Sequence, residues 1–185
     1  MLQRFEFTAT VGGFSQSEID AGGFLTMKER NNLQLAKVLS NQCTDIANAV
    51  NALLDSLHRP EEAQQSRRGI MVREAFTNQM LHGNRADAKL KSDVHLVIEK
   101  QRDQSGGALH CLLLLDDHSP RFNLEDVPDP TDIENLEKET GRGLMLIRDM
   151  AKATVAQIPR EEHEKTMVYS WTEKTRVVPI EASNE

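Results

Sequence analysis

Residues 73–84 read Arg-Glu-Ala-Phe-Thr-Asn-Gln-Met-Leu-His-Gly-Asn, and as a helix this stretch sorts into two rows. Glu74, Asn78 and His82 follow one another at i+4 and make a polar stripe along the axis. Val72, Phe76 and Met80 make a second i+4 row, about 200° around the helix from the first. Such a helix buries its apolar row and turns a carboxylate, an amide and an imidazole toward a cleft. Gly83 follows as a helix-ending residue that tolerates left-handed backbone. A carboxylate one turn from an amide oxygen can hold a hydrated Mg²⁺ and a proton acceptor side by side.

Working outward, the same helix begins near Pro60, a favoured first-turn residue, with Glu61 and Glu62 suiting the dipole, and it runs to about Leu81. Before it, Ile46, Ala49, Val50, Leu53, Leu54 and Leu57 recur at helical spacing, so residues 41–57 are expected to form an amphipathic helix capped by Ser40. Residues 33–39 alternate and are read as a strand, as are residues 3–11; Gly12-Gly13 and Gly22-Gly23 bracket a loop. Downstream, residues 94–99 form a strand, and Ala108 to Leu115 is apolar enough to be a central strand covered on both faces. Residues 116–140, with Pro120, Pro128 and Pro130, form a long irregular segment of the kind that is usually functional. Gly141-Arg142-Gly143 launches a helix over residues 144–150, and residues 153–158 and 166–172 are two closing strands. The order predicts a two-layer α/β sandwich: one mixed, mostly antiparallel sheet with helices on one face. Residues 1–31 are read as an N-terminal extension (an extra strand or hairpin), 32–174 as the main domain and 175–185 as a tail.

The bulk numbers fit one soluble domain. A chain of 185 residues is long enough to bury its own core. With six Phe, one Trp and one Tyr, that core must be mainly aliphatic. A formal charge of −7 argues against nucleic acid as the main partner, since phosphate backbones need clustered Lys and Arg. Two cysteines make no disulfide framework; Cys111, in its apolar run, reads as a buried thiol. Neither a signal peptide nor a membrane-spanning run is evident, so a cytoplasmic location with no membrane partner is expected.

Further candidates lie beyond the central helix. Glycines at 141 and 143, opening a helix, let backbone N–H groups approach phosphate oxygens, with Arg142 or Lys138 adding positive charge. Asp117, closing the most apolar strand, can accept a hydrogen bond from an adenine amino group. His95 and His110 are read as structural, and residues 161–164 as a solvated turn.

Glu74-Ala75-Phe76-Thr77-Asn78 with His82-Gly83-Asn84, then Asp117, Val127-Pro128-Asp129-Pro130, Glu134-Asn135-Leu136 and Gly141-Arg142-Gly143-Leu144, together resemble the anti-sigma-factor serine kinases of the GHKL (Bergerat-fold) ATPase superfamily. The resemblance covers residues 33–172 and rests on several segments occurring in order. It implies ATP and Mg²⁺ as cofactors, Glu74 as general base and Asn78 as metal ligand. It puts His82, Asp117, Arg142, Gly141, Gly143, Leu144 and Thr166 on the nucleotide side, Asp117 against adenine, with residues 124–140 as a lid. It further implies a sigma factor and a STAS-domain antagonist as partners, and a homodimer.

One departure stands out. Family members carry Asp-x-Gly-x-Gly where this chain has Asp117-His118-Ser119-Pro120-Arg121, so both glycines are missing. If those positions need left-handed backbone, each side chain costs on the order of 1–2 kcal/mol. If they need close approach to adenine, Ser119 and Arg121 obstruct the base. This departure favours a second reading, a non-catalytic module that kept the fold and sequesters a regulator by contact; the retained Glu74, Asn78, Gly141 and Gly143 favour the kinase.

Overall fold

The structure is a computed structural model that describes residues 2–13, 29–58, 62–85, 87, 89–101, 107–127, 143–160 and 164–174; for residues 29–40 and Met150 only the backbone is described. Expectations for Pro60, Lys138, Gly141, Arg142 and most of the lid fall outside these residues.

Among the described residues five strands form one sheet: β1 (Leu2–Gly12), β2 (Lys91–Gln101), β3 (Ala108–Asp117), β4 (Thr154–Pro159) and β5 (Lys165–Lys174), in the order β1-β2-β3-β5-β4. Every pairing among these strands is antiparallel, in keeping with the mostly antiparallel sheet expected. β1, from the stretch read as an extension, pairs along its whole length with β2 in this same sheet. Helices α1 (Glu29–Leu57) and α2 (Glu62–Asn78) cover one face, and α2 passes into a π-helical turn over Gln79–Gly83. A short helix, α3, starts as Gly143–Met145 and continues as a π turn through Leu146–Met150.

The strand expected at residues 33–39 is the first part of α1. Its Leu, Gln, Ala and Lys residues are good helix formers, and Leu35, Leu39, Cys43, Ile46 and Val50 continue a single i+3/i+4 row. Alternation over seven residues was therefore the weaker signal, and Ser40 lies within the helix rather than capping it.

Strand parity sets the core. Val94, Leu96 and Ile98 on β2, Leu109, Cys111, Leu113 and Leu115 on β3, and Met167, Tyr169 and Trp171 on β5 all face the helices and are buried. They meet Ile46, Val50 and Leu54 from α1 and Met71, Val72, Ala75 and Phe76 from α2. Each Val, Leu, Ile, Phe or Met among them contributes about 1.5–3 kcal/mol of transfer free energy. β3 is central, and among the described residues the helices cover one of its faces, with Leu112 and Leu114 half-buried on the other. Cys43 and Cys111 are both free and buried, and burial pushes both thiols up, Cys43 to about 12.

Polar ties fix the layers to each other. Gln42 of α1 accepts from the Gly12 N–H at 2.8 Å and donates to the Thr10 carbonyl at 3.0 Å, pinning the end of β1. Gly12 has φ +79°, and a Cβ there would lie 1.9 Å from the Leu90 carbonyl oxygen, so only glycine fits. Lys100 of β2 donates to the Leu57 carbonyl at the end of α1, where a cation also complements the helix dipole.

Candidate functional site

The site lies where α2 ends against the mouths of β3 and β5. A cavity of about 560 Å³ opens there, within the range of small-molecule sites. Asn78, His82, Asp117, Gly143 and Leu144 all line it, so five of the expected residues meet in one place. Glu74 joins them through Gly143. A Cβ on Gly143 would lie 2.9 Å from Glu74 Oε2, 3.1 Å from Asn78 Nδ2 and 3.2 Å from Asn78 Oδ1. The carboxylate and the amide therefore sit side by side, one turn apart on α2, with the start of α3 pressed onto both. A Cβ at Gly143 would have to push the Glu74 carboxylate aside, which explains the glycine by steric contact.

The end of α2 is held by a buried polar network. Gln79 Nε2 donates to Asn84 Oδ1 (2.8 Å), Ser92 Oγ (3.0 Å) and the Asp116 carbonyl (2.5 Å), while Ser92 Oγ donates to Asn84 Oδ1 at 2.7 Å. Asn84 Nδ2 donates to the Leu90 carbonyl at 2.7 Å. These bonds engage Gln79 Nε2 and both polar atoms of the Asn84 amide, while Gln79 Oε1 is buried without a hydrogen-bond partner among the described residues. Gly83 serves this network: a Cβ on it would lie 2.5 Å from Gln79 Nε2. The left-handed backbone expected at Gly83 falls instead on Arg85, with φ 52°.

The segment after β3 reaches its shape without the missing glycines. Among the described residues the non-glycine residues with positive φ are Arg85 and Lys152, so neither Ser119 nor Arg121 bears that strain. Arg121 is exposed and does not line the cavity; Ser119 does. The segment is fastened along its length. The His118 N–H donates to the Gly83 carbonyl at 3.0 Å, and Gln157 accepts from the Phe122 N–H and donates to its carbonyl. The ring of His118 sits between Glu164 Oε1 and the Lys91 carbonyl, each 2.8 Å away. Burial pulls its proton affinity down, but the Glu164 hydrogen bond and charge outweigh that and hold it above the usual histidine value.

Lys165 was missed. Strand parity points its side chain inward beside Asp117, its register partner, and it is fully buried. Its ammonium lies 2.8 Å from Asp117 Oδ1, 2.6 Å from Ser119 Oγ, and 3.1 Å from the carbonyls of both Ser119 and Pro120. A lysine in step with Met167, Tyr169 and Trp171 was the available signal: an inward charge on a strand demands a partner. The same parity corrects Thr166. It points to the open face of the sheet, where its hydroxyl meets Asp116 Oδ1 at 3.2 Å, and it does not line the cavity. Gly141 and Arg142 lie outside the described residues.

Chemically, the cavity has two ends. At one, the hard oxygens of Asn78 and Glu74 suit a hydrated divalent cation; among the described residues no cluster of His, Cys, Asp or Glu could enclose a metal without such help from a ligand. At the other, Met167, Leu144, Val127 and Phe122 offer apolar surface around the carboxylate of Asp117. Tyr169, which burial and the neighbouring Asp117 charge both push upward, stays neutral there. A flat heteroaromatic ring joined to a charged tail fits this polarity, so the residues present fit a nucleotide with its metal. Among the described residues, no helix is long and apolar enough to cross a membrane.

Comparison with known proteins agrees with this geometry. A family model for the histidine kinase-like ATPase domain matches residues 39–171, well over half of the chain. No curated protein matches. The chain belongs to the histidine kinase-like ATPase domain family.

Proposed function

Starting from membership of the histidine kinase-like ATPase family, we propose that this protein is an ATP-dependent protein serine kinase that acts as an anti-sigma factor and phosphorylates a STAS-domain antagonist. The observation that carries the nucleotide part is the approach of Gly143 to the Glu74 carboxylate and the Asn78 amide at the cavity. The serine-kinase part draws its support from the resemblance of residues 74–84, 117 and 141–144 to that group of kinases. In this reading Asn78 would hold Mg²⁺, which would supply charge neutralisation for the phosphates. Glu74 accepts the proton of the attacking serine hydroxyl, and Asp117 accepts from the adenine amino group. Phosphoryl transfer needs mostly placement and charge neutralisation, which is why few side chains suffice. The sigma factor and a second copy of the chain are the further partners of this reading.

The test is binding of a fluorescent ATP analogue with Mg²⁺. Wild type is expected to saturate, and Asn78→Ala to lose Mg²⁺-dependent affinity. Absence of wild-type binding at millimolar nucleotide rejects the kinase and leaves the module that sequesters a regulator by contact.

A second expectation follows from Gly143. In Gly143→Ala the added methyl must displace the Glu74 carboxylate, the far end of a flexible side chain, so the fold should survive. Misplacing a reacting group by about 1 Å can cost about a hundredfold in rate. Thermal melting should therefore match wild type while phosphate transfer to the antagonist falls by about that factor. Equal transfer rates would show that the contact at Gly143 does not govern the site.

A further inference from the structure

We propose that Lys165 is a positioning residue for base recognition: it fixes Asp117 so that Oδ2 is the oxygen left to read the exocyclic amine of adenine, and it takes over the task of the missing glycines. This rests on the nucleotide reading above.

Four observations carry it. Asp117 Oδ1 receives Lys165 Nζ at 2.8 Å, the Ser119 N–H at 2.7 Å and Ser119 Oγ at 2.6 Å, so the bonds formed by described residues gather on one oxygen. Asp117 lines the cavity, whereas Lys165 stands behind it and outside the lining, so the lysine reaches a ligand through the lining residues it holds, above all the carboxylate. The Lys165 ammonium also ties down the Ser119 and Pro120 carbonyls and lies 5.3 Å from the centre of the Phe122 ring. A glycine-free segment is thus clamped around a buried cation where flexible backbone would otherwise have to fold up to the base. Finally, both members of the pair are nearly inaccessible, with side-chain exposures of 0% for Lys165 and 6% for Asp117, where an unpaired charge is costly.

The consequence is discrimination by charge. An ionised carboxylate whose free oxygen faces the ring accepts from the amino group of adenine and repels the carbonyl oxygen that hypoxanthine carries at the same place. Without the ammonium, Asp117 loses the contact that sets which of its oxygens faces the ring, and the preference for an amino group over a carbonyl falls with it.

The experiment compares Mg²⁺-dependent affinities for ATP and inosine triphosphate. Wild type is expected to prefer ATP by about tenfold or more, the worth of one well-placed hydrogen bond to a charged group. Lys165→Met should bring the ratio near one, and Lys165→Arg should restore much of it. An unchanged ratio in a folded Lys165→Met overturns the inference while leaving the nucleotide reading intact; absence of any wild-type binding overturns both. Should Lys165→Met fail to fold, the cycle is closed from the other side. Asp117→Asn and the double variant Asp117→Asn/Lys165→Met are expected to show the same ratio, because the lysine sets the choice between the two bases through the carboxylate, while its hold on Ser119 and Pro120 bears on both nucleotides alike. A further change in the double variant would overturn the assignment.

Discussion

Glu74→Gln is expected to bind ATP with Mg²⁺ as tightly as wild type and to transfer phosphate about 10²–10⁴-fold more slowly, the range for loss of a positioned general base. The substitution keeps the shape of the side chain, its place on α2 and its contact with Gly143, and removes its negative charge and with it the ability to take a proton. Asn78, one turn further on, retains its amide oxygen, so the metal end of the cavity is preserved. Single-turnover phosphorylation of a STAS-domain substrate, read beside nucleotide affinity, separates the two effects. A variant that transfers as fast as wild type would remove Glu74 from the chemistry. A variant that loses affinity as well would make it a nucleotide ligand.

The second large effect lies far from the cavity. Arg68→Met is expected to lower unfolding free energy by about 3–5 kcal/mol, the cost of breaking a buried ion pair from one side. Arg68 is 2% exposed, and its guanidinium joins three elements. It donates to Asn51 Oδ1 (3.0 Å) and Asp55 Oδ1 (2.5 Å) on α1 and to Glu173 Oε2 (3.0 Å) on β5. Glu173 also meets His58 Nε2 at 2.6 Å and accepts from Trp171 Nε1 at 2.9 Å. Losing the guanidinium leaves that carboxylate buried with a diminished set of donors, whereas residues lining the cavity are untouched. Urea titration should show the loss, and ATP affinity of the folded variant should equal that of wild type. A change under about 1 kcal/mol would mean that the cluster contributes no more than a surface pair.

The same cluster gives a pH signature. Burial drives the Glu173 carboxyl upward, but hydrogen bonds from His58 and Trp171 and the Arg68 charge outweigh it, so the group ends below its ordinary value of 4.5. A depressed carboxylate contributes stability that is complete above the unfolded value and is lost as pH falls through the folded one. Wild type should therefore lose stability as the pH drops below about 4.5, and Arg68→Met, whose Glu173 is less depressed, should lose less over that window.

Much of this was legible in the chain itself. Helix α2 and its two rows, the strands at residues 94–99, 108–115, 153–158 and 166–172, and the placing of helices on one sheet face follow from periods of 3.6 and 2, which are local. Asn78, His82, Asp117, Gly143 and Leu144 were found from spacing and order and do line one cavity. The errors share a cause. Residues 33–39 alternate by accident, and only their continuity with the row down to Val50 assigns them to α1. Gly83 and Gly143 carry no positive φ; what each requires is room for a side chain from elsewhere in the fold, which no single-residue signal announces. Thr166 was placed by motif when strand parity sends it to the opposite face.

What the sequence alone determined is therefore the identity of the elements, because helix and strand periods are set by neighbours a few residues apart. What tertiary structure alone decided is how Asp117 is held. Ser119 and Arg121 look like losses until β5 brings Lys165 across from 48 residues away, its ammonium closing on the carboxylate and on the backbone that follows. A buried charge must find its counter-charge wherever the chain returns, and only the register of β3 against β5 says where that is.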